Sequence, residues 1–96
     1  MVRTRDQVLH LIRRNKNALR RFGVKRLGLF GSVARNEAKK SSDIDVLVDF
    51  EKKSFDAYMD LKMFLEKHLG CPIDLVLSDS VKPRLRKNIF KEVIYA

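Results

Sequence analysis

Apolar residues recur along this chain first at helical spacing and then in short runs. Val8, Leu11, Ile12, Leu19 and Phe22 form one stripe, with Arg13, Arg14, Lys16, Arg20 and Arg21 on the remaining faces. That pattern predicts an amphipathic helix of about 17 residues. Thr4, with Gln7 three residues on, is a plausible capping box, and Gly23 is a natural end. The period then changes. Lys25–Phe30 reads as a buried strand that stops abruptly at Gly31-Ser32, and Val33 to about Glu37 as a short helix. A polar connection from Asn36 to Ser42 carries Lys39 and Lys40. From Asp43 to Phe50, Ile44, Val46 and Val48 alternate with Asp43 and Asp45, the signature of a strand with two unlike faces. Ser54 caps a helix whose buried side is Phe55, Tyr58, Met59, Leu61, Leu65 and Leu69, with Gly70 as the residue after its end. Cys71 leads into a third strand, Ile73–Leu77, and Ser78-Asp79-Ser80 forms a turn. A last helix runs from about Lys82 to Ile94, with Pro83 in its first turn and Leu85, Ile89, Phe90 and Val93 inward. The order αβαβαβα predicts an α/β (α+β) fold.

Length and composition fit one domain spanning residues 1–96. No apolar run approaches the roughly 18 residues of a membrane span, and the N-terminus lacks the apolar segment of a signal peptide. The single cysteine, Cys71, cannot form an internal disulfide and reads as a small core residue, which fits a cytoplasmic protein. His10 lies off the apolar stripe, and His68 sits in a last helical turn, where the dipole favours a cation. Both read as surface residues.

The net charge of +9 is unevenly placed. Residues 1–26 carry nine Lys/Arg against one acid and residues 81–96 carry five against one, whereas residues 27–80 carry seven against ten. Basic flanks around an acidic centre suit nucleic acid, an acidic protein partner, nucleotide phosphates, or simply solvated helix faces. Few aromatics interleave with the basic residues, so a surface that stacks single-stranded bases is not indicated.

The candidate chemistry lies in the acidic centre. Asp43 and Asp45 share a strand face about 7 Å apart, beside the Gly31-Ser32 turn. Asp74 is an acid inside an apolar run, which must be paired, hydrogen-bonded or metal-bound. Three carboxylates suit Mg²⁺, a hard cation that retains water and substrate phosphates. Two such ions can hold a triphosphate and activate an attacking hydroxyl. Gly31 lets backbone approach phosphate, Ser32 offers a hydroxyl and an amide, and Arg35 one turn on neutralises a leaving pyrophosphate.

Gly31-Ser32, ten intervening residues and Asp43-x-Asp45, with a later third acid, resemble the signature of polymerase-β-like nucleotidyltransferases. Gly-Ser-Val-Ala-Arg, Ser-Asp-Ile-Asp-Val-Leu-Val and Pro-Ile-Asp-Leu-Val are similar, more narrowly, to the minimal nucleotidyltransferase (MNT) family over about residues 23–94. The resemblance implies a small mixed sheet with helices packed on it. It also implies Mg²⁺, two ions, at Asp43, Asp45 and Asp74, and ATP phosphates on Gly31 and Ser32. Members of that family are often antitoxins that transfer AMP from ATP to a tyrosine of a HEPN-domain ribonuclease toxin. Asn36 stands where many members carry glycine, and the chain has no second domain to hold base and acceptor. The leading expectation is therefore a Mg²⁺-dependent transferase of AMP to a protein hydroxyl, acting as an antitoxin. A non-catalytic antitoxin or regulatory module is the alternative. A nucleic-acid binder is third, because it leaves the acids unexplained, and self-association into a homo-oligomer stays open.

Overall fold

The computed structural model describes residues 4–37 and 43–96. Its helices are α1 (Arg5–Arg14), α2 (Lys16–Arg21), α3 (Gly31–Ala34), α4 (Phe55–Leu69) and α5 (Pro83–Glu92). Its strands are β1 (Val24–Phe30), β2 (Ile44–Phe50), β3 (Ile73–Leu77) and β4 (Ile94–Tyr95), with one 3₁₀ turn at Ser78–Ser80. The strands form a mixed sheet in the order β3-β2-β1-β4. β1 runs antiparallel to β2 and β4, and β2 runs parallel to β3. The expected α/β class holds.

One face of the sheet carries the core. Leu27 and Leu29 from β1, Ile44, Val46 and Val48 from β2, and Ile73 and Leu75 from β3 are buried. They cluster with Val8 and Ile12 of α1, Leu19 of α2, and Leu61, Leu65 and Leu69 of α4. Each such aliphatic side chain contributes about 1.5–3 kcal/mol of transfer free energy when removed from water. Strand alternation sends Asp45, Leu47 and Asp49 to the opposite face, where Leu47 is buried outside the main cluster. Cys71 is buried, as expected of a core cysteine, and His10 and His68 are exposed. Among the described residues no helix is long and apolar enough to cross a membrane.

Five expectations need correction. The short helix after β1 runs over Gly31–Ala34 rather than from Val33 to about Glu37, because the left-handed Gly31 turns the chain directly into it. The first helix is not continuous: it breaks at Asn15, whose φ is −103° and ψ 20°. The Asn15 side-chain amide donates to the Leu11 carbonyl at 2.8 Å, competing for a group that an unbroken helix uses for its own ladder. The last helix stops at Glu92 rather than Ile94. Val93 is extended, and Ile94–Tyr95 add a fourth strand against β1. Phe55 and Leu85, expected inward, are 77% and 43% exposed. Phe55 opens α4 beyond the packed sheet, beside Phe50, Tyr58 and Leu77, and α5 buries none of its residues fully. Asp74 is exposed rather than enclosed by its apolar neighbours, because β3 is an outer strand. Lys39, Lys40 and the rest of 38–42 lie outside the described residues.

Candidate active site

The strand registers bring two of the three predicted acids together. Asp45 pairs with Asp74 across the parallel β2–β3 ladder, so the two carboxylates leave neighbouring strands on one face. The start of that ladder is fixed from both sides. The Ile44 amide donates to the Pro72 carbonyl at 3.2 Å, and the Ile73 amide donates to the Glu66 carboxylate of α4 at 3.1 Å. Asp43 is exposed and immediately precedes β2. It acts on Asp45 through its charge. Among the described residues, no three His, Cys, Asp or Glu side chains gather closely enough to make a metal cage by themselves.

Asp45 records the crowding. Its pKa is pushed up to about 6, first by burial and then by the Asp74 charge, a hydrogen bond with Asp74 and the Asp43 charge. Arg35 opposes the shift. A half-buried carboxylate repelled by two others is the environment that a divalent cation relieves. Hard oxygen donors fit Mg²⁺, which commonly takes one or two carboxylates and completes its shell with water and substrate phosphate. The donor set therefore fits the metal without a complete protein cage.

Gly31 closes the other side. On the antiparallel β1–β2 ladder Phe30 pairs with Asp45, so the turn at the end of β1 passes against that carboxylate. A Cβ on Gly31 would lie 2.1 Å from Asp45 Oδ2, and the residue has φ of +73°. Both facts demand glycine. The structural reason is thus the Asp45 carboxylate, in addition to the phosphate approach anticipated from sequence. The following helix, α3, has only four residues. Its macrodipole is accordingly small, and any anion held there depends on individual amides and the Ser32 hydroxyl.

Those donors are not all open. The Gly31 amide donates to Glu92 Oε1 of α5 at 2.8 Å. Arg35 donates to Glu92 Oε2 at 3.0 Å and to Glu37 at 3.2 Å. Hydrogen bonds to Glu37 and then Glu92 hold its guanidinium above the usual arginine range. Glu92 escaped the sequence reading, although it is the only acid among residues 81–96. Asn36, where glycine was expected, has φ of +60°. Asparagine is among the few side chains that accept this left-handed conformation. Its Oδ1 also accepts the Arg5 amide at 3.4 Å, tying the loop to α1.

The sequence pattern of the nucleotidyltransferase domain matches residues 12–96. The chain belongs to that family. Among relatives, the protein adenylyltransferase MntA of Thermococcus cleftensis is 42% identical over 94 residues, covering 96% of this chain and 95% of its own. A solved protein classed as a minimal nucleotidyltransferase superposes with a TM-score of 0.75 at 38% identity, over 90% of this chain and 93% of its own. The resemblance to minimal nucleotidyltransferases is borne out. The same fold recurs in a toxin–antitoxin structure with AMP-PNP, at TM-score 0.67 and 23% identity, over 95% of this chain and 70% of that one. It also recurs in a complex of a tri-AMPylated Shewanella oneidensis HEPN toxin with its MNT antitoxin, at TM-score 0.57 and 21% identity, over 86% of this chain and 69% of that one. As a family member the chain is a nucleotidyltransferase.

Proposed function

We propose that this nucleotidyltransferase transfers AMP from ATP to a tyrosine hydroxyl of a HEPN-type toxin, with Mg²⁺, and so acts as an antitoxin. The observation that carries the reading is the adjacent Asp45–Asp74 pair packed against the Gly31 turn. The names of the relatives support the choice of nucleotide and partner.

In this reading Asp43, Asp45 and Asp74 hold two magnesium ions, which would polarise the α-phosphate and lower the pKa of the acceptor hydroxyl. Ser32 holds triphosphate oxygens through its amide and hydroxyl, beside the close backbone of Gly31. The phenolic oxygen attacks the α-phosphorus, the bond from that phosphorus to the bridging oxygen breaks, and pyrophosphate leaves. Asp74, the exposed member of the pair, accepts the phenolic proton. Arg35 faces the charge that accumulates on pyrophosphate. The partner supplies much of the acceptor's orientation, because Asp43 and Asp74 stand exposed at the site.

The test is to mix the chain with Mg²⁺, ATP and a HEPN partner and weigh the partner by mass spectrometry. One added AMP mass per modified tyrosine is expected, and it should vanish with Asp45→Asn. An unmodified but inhibited partner would instead establish the second reading, a non-catalytic antitoxin. That no three acidic, histidine or cysteine side chains gather into a cage among the described residues is the observation that favours that alternative.

A further inference from the structure

Glu92 is the last residue of α5. An acid there faces the negative end of the helix dipole, where lysine or arginine is the favoured choice. The preceding residue is Lys91, and the helix's other charged residues, Arg84, Arg86 and Lys87, are also basic. Something outside the helix must therefore hold the carboxylate. Both of its oxygens are engaged at the transfer site: Oε1 by the Gly31 amide at 2.8 Å, Oε2 by Arg35 at 3.0 Å. These partners lie 61 and 57 residues away in the chain, so the contact is tertiary.

The delivery of Glu92 to this point follows from the sheet. β4 pairs Gly28 with Tyr95 and Leu29 with Ile94. Continuing that register by two residues sets Glu92 opposite Gly31. Gly28 permits the close approach, since a Cβ there would meet Val93 Cγ2 at 2.7 Å and the Ile94 carbonyl at 3.1 Å. Strand pairing thus fixes where the carboxylate lands.

We propose that Glu92 is a positioning residue of the transfer site, holding the Gly31–Ser32 turn with one oxygen and aiming Arg35 with the other. The inference rests on the transferase reading above. It assigns the Gly31 amide to the scaffold and leaves the Ser32 amide and hydroxyl for phosphate. It also gives β4 a role, since its pairing with β1 carries α5's terminal carboxylate to the nucleotide turn.

The two oxygens make the proposal separable. Glu92→Gln keeps an acceptor for the Gly31 amide and loses the charge that aims Arg35. With the full chain, Mg²⁺, ATP and the HEPN partner, kcat is expected to fall about 10- to 100-fold while KM for ATP stays near its original value. Glu92→Ala also frees the turn, so KM for ATP should rise as well. In an Arg35→Ala background, Glu92→Gln should cost nothing further, because the group it aims is gone. The Gly31 amide proton, followed by NMR, should keep its position in Glu92→Gln and move in Glu92→Ala. Undiminished kcat in Glu92→Gln with an active original chain overturns the proposal and leaves the transferase reading intact. So does tighter ATP binding in that variant, which would make Glu92 a competitor for the phosphate position. No AMP transfer by the original chain takes down both.

Discussion

At Gly31 a left-handed backbone and a carboxylate against the missing side chain coincide in one residue. Even Gly31→Ala should therefore destabilise the fold by about 1–3 kcal/mol. It should also abolish AMP transfer by displacing Asp45, as thermal melts and partner labelling will record. Asp45 itself predicts a pH dependence. Its pKa is near 6 in the fold, above the ordinary carboxylate value, so between those pH values the native state binds more protons than the unfolded chain. Metal-free stability should then fall as pH rises from about 4 through about 6. In EDTA at pH 8, Asp45→Asn should be more stable by on the order of 1 kcal/mol, after discounting for solvent screening of a half-exposed group. That is about 4–8 °C in Tm for a chain of this size. The same variant should be inactive, and a flat pH profile in the original protein would refute the account. At Asn36 the left-handed conformation makes Asn36→Gly nearly neutral, within about 0.5 kcal/mol, whereas Asn36→Val should cost about 1–2 kcal/mol. Denaturant melts distinguish the two.

Among the elements, those with strong periodicity were legible from sequence. β3 has its expected bounds, α4 keeps its Ser54 cap and its Gly70 end, and the Thr4–Gln7 capping box is present. The errors share a physical cause: a local competitor or a distant partner decides what the pattern leaves open. Asn15 breaks the first helix through its own side chain. Ile94–Tyr95 are β-prone residues in a segment too short to show a strand pattern, and they become a strand because β1 offers an edge. The sequence singled out Asp43, Asp45 and Asp74 and paired Asp43 with Asp45, whereas the adjacency of Asp45 and Asp74 depends on a parallel register that no local pattern encodes. Glu92 was missed for the same reason, since its partners lie 61 and 57 residues away in the chain. Two measurements check the packing. Phe55→Ser should change stability by less than about 0.5 kcal/mol, because the ring is exposed. Leu61→Ala, from the centre of α4's buried side, should cost about 2–5 kcal/mol. Equal losses would mean that α4 packs by another face.

Across the whole molecule, charge is sorted by location. The acids of the site lie at the start of β2 and β3, while Arg13, Lys16, Arg20, Lys25 and Arg26 line a hollow of about 340 Å³ with Tyr95. Arg26 also stacks over the Tyr95 ring at 4.7 Å and forks onto Asp49. A basic surface away from the acidic site suits a macromolecular partner that must bring its hydroxyl to the carboxylates. Arg20→Glu combined with Arg21→Glu should slow association with an acidic partner by about 10-fold at low salt. Raising salt should slow the original protein more than the variant, as stopped-flow binding will measure. Transfer that is indifferent to both changes would place the partner on another surface.

The position of β3 at the rim of the sheet has a consequence for handling the protein. Ile73-Asp74-Leu75-Val76-Leu77 is a short, β-prone, strongly apolar segment whose one charge is Asp74. Bare rims of this kind recruit other chains, and a charge or proline is what discourages them. Pro72 guards the start and Asp74 the middle. The carboxylate proposed to serve the reaction is therefore also expected to discourage self-templating into fibres. An Asp74→Asn preparation should clump on concentration and stain as amyloid-like material sooner than Asp45→Asn, whose lost charge lies one strand further in.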